Sequence, residues 1–96
     1  MLILITYDVN TETEAGKRRL RKVAKYCMKY GQRVQNSVFE CILDSAQYVM
    51  VKEELSSLIE YNSDSLRFYR LGNNYKNQVE VVGVGRDYPQ DEILIL

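Results

Sequence analysis

The strongest constraint on how this chain can fold lies in its first eight residues, Met1-Leu2-Ile3-Leu4-Ile5-Thr6-Tyr7-Asp8. Successive side chains of an extended strand point to opposite faces. Leu2 and Leu4 therefore go to one side, Ile3 and Ile5 to the other, and both sides are apolar. A strand that is apolar on both faces needs cover on both, so the segment predicts an inner strand of a sheet. The run halts at Tyr7-Asp8-Val9-Asn10. An acid in that place either closes the turn before the next element or stands at the rim of a working site, and the strand alone leaves both readings open.

The next segment reads as a helix. Thr11 and Glu14 have the spacing of a capping box, and acids suit the positive end of a helix dipole. Leu20, Val23, Ala24, Cys27 and Met28 repeat at helical spacing as a buried stripe, with Arg18, Arg21, Lys22, Lys25 and Lys29 on the other faces. Gly31 is expected to close this helix in the left-handed conformation. Arg33 to Leu43 is strand-like, but its alternation breaks at Gln35-Asn36-Ser37, which predicts a short strand, a tight turn or bulge, and a longer strand. A second helix follows, capped by Asp44 or Ser45, with Tyr48, Val51, Leu55, Leu58 and Ile59 as its inner stripe. Asn62-Ser63-Asp64 ends it. Leu66 to Leu71 and Val79 to Val84 read as strands joined by a turn at Gly72-Asn73-Asn74, and Ile93 to Leu96 as a short apolar strand.

The order is β-α-β-β-α-β with an additional C-terminal strand. This is the ferredoxin-like α+β plan, one antiparallel sheet with two helices on one face. The 96 residues make a single domain. Helices on one face leave the other face of an apolar inner strand bare, so a second copy is expected to cover it as a homodimer, with residues 86–96 as a tail that crosses between subunits.

Composition removes several functions. The chain has no histidine, and Cys27 and Cys41 do not have metal-ligand spacing, so a zinc site and a histidine-dependent triad both lack their parts. The two cysteines read as free, buried thiols. No apolar segment approaches the ~20 residues of a membrane span, and the N-terminus lacks the basic region of a signal peptide, so no membrane partner and a cytosolic location are expected. The 13 basic and 13 acidic residues cancel, but Lys17, Arg18, Arg19, Arg21, Lys22, Lys25, Lys29 and Arg33 fall within 17 positions. Between Val34 and Leu66, Glu40, Asp44, Glu53, Glu54, Glu60 and Asp64 face only Lys52. A polyanion senses such a local excess and not the net sum, because fields act within about a Debye length.

The Tyr7-Asp8 pair at the end of the first strand, the basic helix, and "RVQNSVFEC" after Gly31 together resemble the CRISPR-associated Cas2 family, in wording closest to type I-C members. The resemblance covers about residues 1–85. It implies a ferredoxin-like homodimer, partnership with the integrase Cas1 in capturing new spacers, and a magnesium-dependent nuclease in which Mn2+ can replace Mg2+. Carried over by motif, Asp8 is the catalytic metal ligand, and Tyr7, Phe39 and Arg33 fall near the cleft. Arg18, Arg19 and Arg33 are the expected contacts to nucleic acid, with double-stranded DNA favoured over RNA. Magnesium takes near-octahedral oxygen ligation, often from one or two carboxylates, waters and substrate phosphate. One Asp is a poor site, whereas Asp8 from each of two subunits on a twofold axis is a better one. Two other readings remain: a scaffold that binds DNA and bridges Cas1 dimers without cleaving, and a VapD-like ribonuclease.

Overall fold

The computed structural model describes residues 1–71 and 78–84. The expected turn at Gly72-Asn73-Asn74, the Ile93 to Leu96 strand and the crossing tail lie outside the described residues. The elements are β1 (Leu2–Asp8), α1 (Glu14–Tyr30), β2 (Gly31–Gln35), β3 (Val38–Ile42), α2 (Ser45–Leu58), β4 (Ser65–Leu71) and β5 (Gln78–Gly83). The strands form one antiparallel sheet in the order β2-β3-β1-β4-β5, which puts β1 in the middle as its two-sided apolar pattern requires. This is the ferredoxin-like α+β arrangement, with β5 added beside β4.

Period-two alternation sorts the sheet's faces. Ile3, Ile5 and Tyr7 of β1, Phe39 and Cys41 of β3, and Leu66 and Phe68 of β4 are buried in one cluster with Val23 and Cys27 of α1 and Tyr48, Val51 and Leu55 of α2. Both helices thus lie on one face. Leu2, Leu4, Thr6 and Asp8 fall on the opposite, helix-free face. There Leu2 sits between Ile42 and Leu71, and Leu4 between Glu40 and Tyr69. Ile42 on this face is 80% exposed.

Several local expectations are corrected. The N-cap of α1 is Thr13, not Thr11: the Thr13 hydroxyl accepts from the Gly16 amide at 3.0 Å, while the Asn10 side chain accepts from the Glu12 amide at 2.9 Å and turns the chain before the helix. Met28 is 62% exposed, because the buried face of α1 runs through Val23 and Cys27 and Met28 lies one residue beyond it. Gly31 does not adopt the left-handed conformation. It is extended at φ −157° and starts β2, and a Cβ there would overlap the Cys41 sulfur and the Glu40 carbonyl oxygen. It is glycine for lack of space.

Other expectations match. Asp44 caps α2 in a full capping box, accepting from the Gln47 amide at 2.7 Å while the Gln47 side chain accepts from the Asp44 amide at 3.0 Å. The broken alternation near Gln35 is a register shift between Arg33 and Gln35 in the β2–β3 hairpin. Cys27 and Cys41 are free and buried, and burial pushes the Cys27 thiol up to about 12. Among the described residues no helix is long and apolar enough to cross a membrane.

Candidate functional site

Asp8 is the last residue of β1, and its register partner on β4 is Ser65. The β1–β3 pairing stops two residues earlier, at Thr6 and Val38, so Asp8 has a strand neighbour on one side only. Its side chain is exposed and has no hydrogen-bond or ion-pair partner among the described residues. An acid used only to cap the turn would be engaged with nearby amides. Here Asn10 makes the turn contact, and the Asp8 carboxylate, on the helix-free face, has no partner among the described residues.

Tyr7 and Phe39 point the other way. Both are buried among the helices, with ring centroids 6.0 Å apart, and the Tyr7 hydroxyl donates to the Asn36 carbonyl oxygen at 3.1 Å. Burial raises the Tyr7 pKa, against the opposing pull of the Arg33 guanidinium. Arg33 lies over the Phe39 ring at 5.2 Å and is itself exposed. Tyr7, Phe39 and Arg33 therefore form one cluster on the helix side, and Asp8 stands apart from it across the sheet.

The basic residues of α1 have different surroundings. Arg18, Arg21, Lys22 and Lys25 line an open concavity of about 360 Å3 on the outer side of the helix. Lys17 is drawn to Glu14, the one acid on the helix, at 3.3 Å. Arg19 turns inward and is 24% exposed, and its Nε donates to Asp64 Oδ2 at 2.8 Å.

Asp64 was legible in the sequence only as part of a helix break, yet it is the one buried charged residue among those described, at 0% exposure. Its carboxylate accepts from Arg19, from the Asn10 amide at 3.0 Å, from the Glu60 amide at 2.8 Å and from the Ser63 hydroxyl at 3.3 Å. Burial alone would raise its pKa, but the Arg19 hydrogen bond and the Glu60 and Asn10 amides outweigh that and hold it below the usual carboxylate range. A signal for this burial was present: Asp64, Leu66 and Phe68 share strand parity, which points Asp64 to the core side.

A second acid missed by sequence reasoning is Glu80 on β5. It accepts from the Tyr48 hydroxyl at 2.6 Å and pairs with Lys52, both on α2. Burial would raise its pKa, but Lys52 and Tyr48 lower it on balance. This network fastens β5 to the helix layer and lies away from Asp8.

The family model for CRISPR associated protein Cas2 matches residues 1–79. The chain belongs to the Cas2 family. It is 60% identical over 95 residues to the CRISPR-associated endonuclease Cas2 of Halalkalibacterium halodurans, with 99% of each chain covered. It is 53% identical over 96 residues to the CRISPR-associated endoribonuclease Cas2 of Chlorobaculum tepidum, with 100% of each covered. The crystal structure of Streptococcus pyogenes Cas2 at pH 6.5 superimposes with a TM-score of 0.70 at 59% identity, covering 78% of this chain and 90% of that one. The name of the second relative specifies RNA, as an endoribonuclease, whereas that of the first, an endonuclease, specifies no nucleic acid.

Among the described residues no three His, Cys, Asp or Glu side chains gather to hold a metal ion. One chain therefore supplies one carboxylate at Asp8. A carboxylate oxygen is the kind of donor that hard cations such as Mg2+ or Mn2+ take, and one such group alone does not complete a metal shell.

Proposed function

We propose that two copies of this Cas2 chain pair through the helix-free face and act as a metal-dependent endonuclease on double-stranded DNA. In this reading the protein works in the cytosol and joins Cas1 in acquiring spacers. The observation that carries the proposal is the exposed, unpartnered Asp8 carboxylate at the end of β1, on the same face as Leu2, Leu4 and the 80% exposed Ile42. Burying those side chains against a second copy stabilises at about 25 cal/mol per Å2 of apolar surface removed from water. A symmetric interface duplicates every residue on it, so each dimer carries two Asp8 carboxylates.

Asp8 from each subunit would hold the Mg2+ or Mn2+ ion. When bound, the ion would neutralise phosphate charge and bring water within reach of phosphorus at neutral pH. Arg18, Arg21, Lys22 and Lys25 bind backbone phosphates, which supplies affinity without sequence information. Arg33 lies over the Phe39 ring at 5.2 Å and is exposed, so it is also within reach of a phosphate.

The test incubates purified protein with duplex DNA, single-stranded DNA and RNA in Mg2+, Mn2+ or chelator, for wild type and Asp8→Asn, with sedimentation of both. The expected result is a dimer in each case and duplex cleavage that needs both the metal and Asp8. Cleavage that persists in Asp8→Asn, or a wild type that sediments as a monomer at micromolar concentration, refutes the proposal. Cleavage of RNA alone moves the reading to a VapD-like ribonuclease.

One observation favours a second reading. The cationic concavity on α1 lies on the helix layer, on the other side of the sheet from Asp8. A scaffold that binds duplex DNA and bridges Cas1 dimers needs this surface and not the carboxylate. It predicts tight, chelator-insensitive binding with no cleavage.

A further inference from the structure

Arg19 and Arg18 are neighbours in sequence, but the fold gives them opposite surroundings. Arg18 faces solvent in the cationic concavity, whereas Arg19 is committed to Asp64 through Nε at 2.8 Å and a terminal nitrogen at 3.4 Å. Two of its five N–H donors are so engaged, and moving the guanidinium onto a phosphate would leave Asp64 buried without its countercharge.

The place of the pair in the fold gives it a use. Asp64 accepts from the Asn10 amide, two residues after Asp8, at 3.0 Å. Asp64 also immediately precedes Ser65, the register partner of Asp8 on β4. Its own carbonyl accepts from the Val84 amide at 2.9 Å, just beyond β5. Gly83 there has φ 91°, and a Cβ on it would overlap that carbonyl oxygen. The backbone on two sides of Asp8 is thus tied to one buried residue, which Arg19 holds in place from α1.

We infer that Arg19 and Asp64 are positioning residues: the ion pair fixes the end of β1 so that the Asp8 carboxylate stands in place for the metal, and Arg19 is not one of the phosphate contacts. The inference rests on the metal-dependent reading of Asp8. It separates two adjacent arginines by role, with Arg18 governing affinity for nucleic acid and Arg19 governing turnover.

The test compares wild type, Asp8→Asn, Arg18→Ala, Arg19→Ala and Arg19→Lys at one protein concentration. Three quantities are read: kcat and KM for duplex cleavage in Mn2+, broadening of the Asp8 and Val9 amide resonances by Mn2+, and hydrogen exchange at the Asn10 and Glu60 amides with Ile5 as the reference for an intact sheet. Misplacing a reacting group by about 1 Å costs up to ~100-fold, so Arg19→Ala is expected to lower kcat by about 10- to 100-fold with KM nearly unchanged. It should also weaken the Mn2+ broadening at Asp8 and speed exchange at Asn10 and Glu60 while Ile5 stays protected.

Arg19→Lys keeps one charged hydrogen bond and should recover part of each effect. Arg18→Ala should raise KM and leave kcat and all exchange rates alone. The inference is overturned if Arg19→Ala raises KM as Arg18→Ala does with kcat intact, or if the Asn10 amide and the Mn2+ broadening at Asp8 do not change. A wild type that does not cleave, or an Asp8→Asn variant that still does, refutes the nuclease reading instead, and the exchange and broadening measurements then decide separately whether Arg19 positions Asp8.

Discussion

Replacing Asp64 by alanine removes the acceptor shared by four donors. Two of these, the amides of Asn10 and Glu60, are backbone groups held at 3.0 and 2.8 Å in a partly buried setting. Leaving a buried donor unsatisfied costs about 1–3 kcal/mol. Arg19 and Ser63 have some exposure and can turn to water, so their loss adds little. Taking the two amides at about 1–2 kcal/mol each gives a loss of about 2–4 kcal/mol, a large share of the 5–15 kcal/mol that holds a domain folded. At roughly 4–8 °C per kcal/mol for a domain of this size, the melting temperature should fall by about 8–32 °C. Urea and thermal unfolding followed by circular dichroism measure this, with protein concentration fixed because a dimer's stability depends on it. Asp8→Ala is the control: its side chain is exposed and unpartnered, so it should change stability by no more than about 0.5 kcal/mol. If Asp64→Ala costs under about 1 kcal/mol, or no more than Asp8→Ala, water reaches those amides and the shared acceptor is not what holds this corner together.

Two further outcomes follow from charge. The folded-state pKa of Asp64 is depressed, so its contribution to stability is present above the unfolded value near 4 and is lost as pH falls through the lower folded value. Wild-type urea midpoints should therefore drop on acidification below about pH 4 more steeply than those of Asp64→Asn, and equal slopes would refute the assignment. In the presence of chelator, Arg18→Ala combined with Lys22→Ala should weaken duplex binding uniformly across sequences. It should also lower the slope of log K against log salt by about 2, and an unchanged slope would show that the concavity on α1 is not the phosphate surface.

The layout of the fold was legible because alternation and helical spacing are enforced by burial. Two-sided apolarity placed β1 at the centre, and the break at Gln35-Asn36-Ser37 became the irregular β2–β3 hairpin. Single positions were harder where a contact distant in sequence decides the outcome. Gly31 looked like a helix stop because glycine often is one, but the crowding that requires it comes from Cys41, ten residues on. Asp64 looked like a turn residue because acids are mostly exposed. Strand parity with Leu66 and Phe68 points it to the core side, but the countercharge that makes its burial tolerable is Arg19, 45 residues away, and no local pattern announces that partner. Arg18 and Arg19 could not be told apart in sequence for the same reason: which of two adjacent arginines turns inward is set by the acid that meets it.

The separation of Asp8 from the cations bears directly on how such a chain would handle DNA. A carboxylate placed next to a phosphodiester repels it, and that repulsion at a few ångströms is not fully screened at physiological salt. Asp8 cannot therefore contribute affinity for a polyanion in the absence of a cation, and in the proposed reading that cation is a metal ion. Under the proposed function affinity then has to come from elsewhere on the surface, and α1 offers four cationic side chains around one concavity while its single acid is occupied by Lys17. Binding and cleavage are thereby assigned to different charges on different sides of the sheet. Chelator should abolish cleavage and spare binding, whereas high salt should weaken binding and leave turnover of the bound complex intact. Loss of both together under either treatment would mean that one set of residues does both jobs, and that the division drawn between Asp8 and the outer face of α1 is wrong.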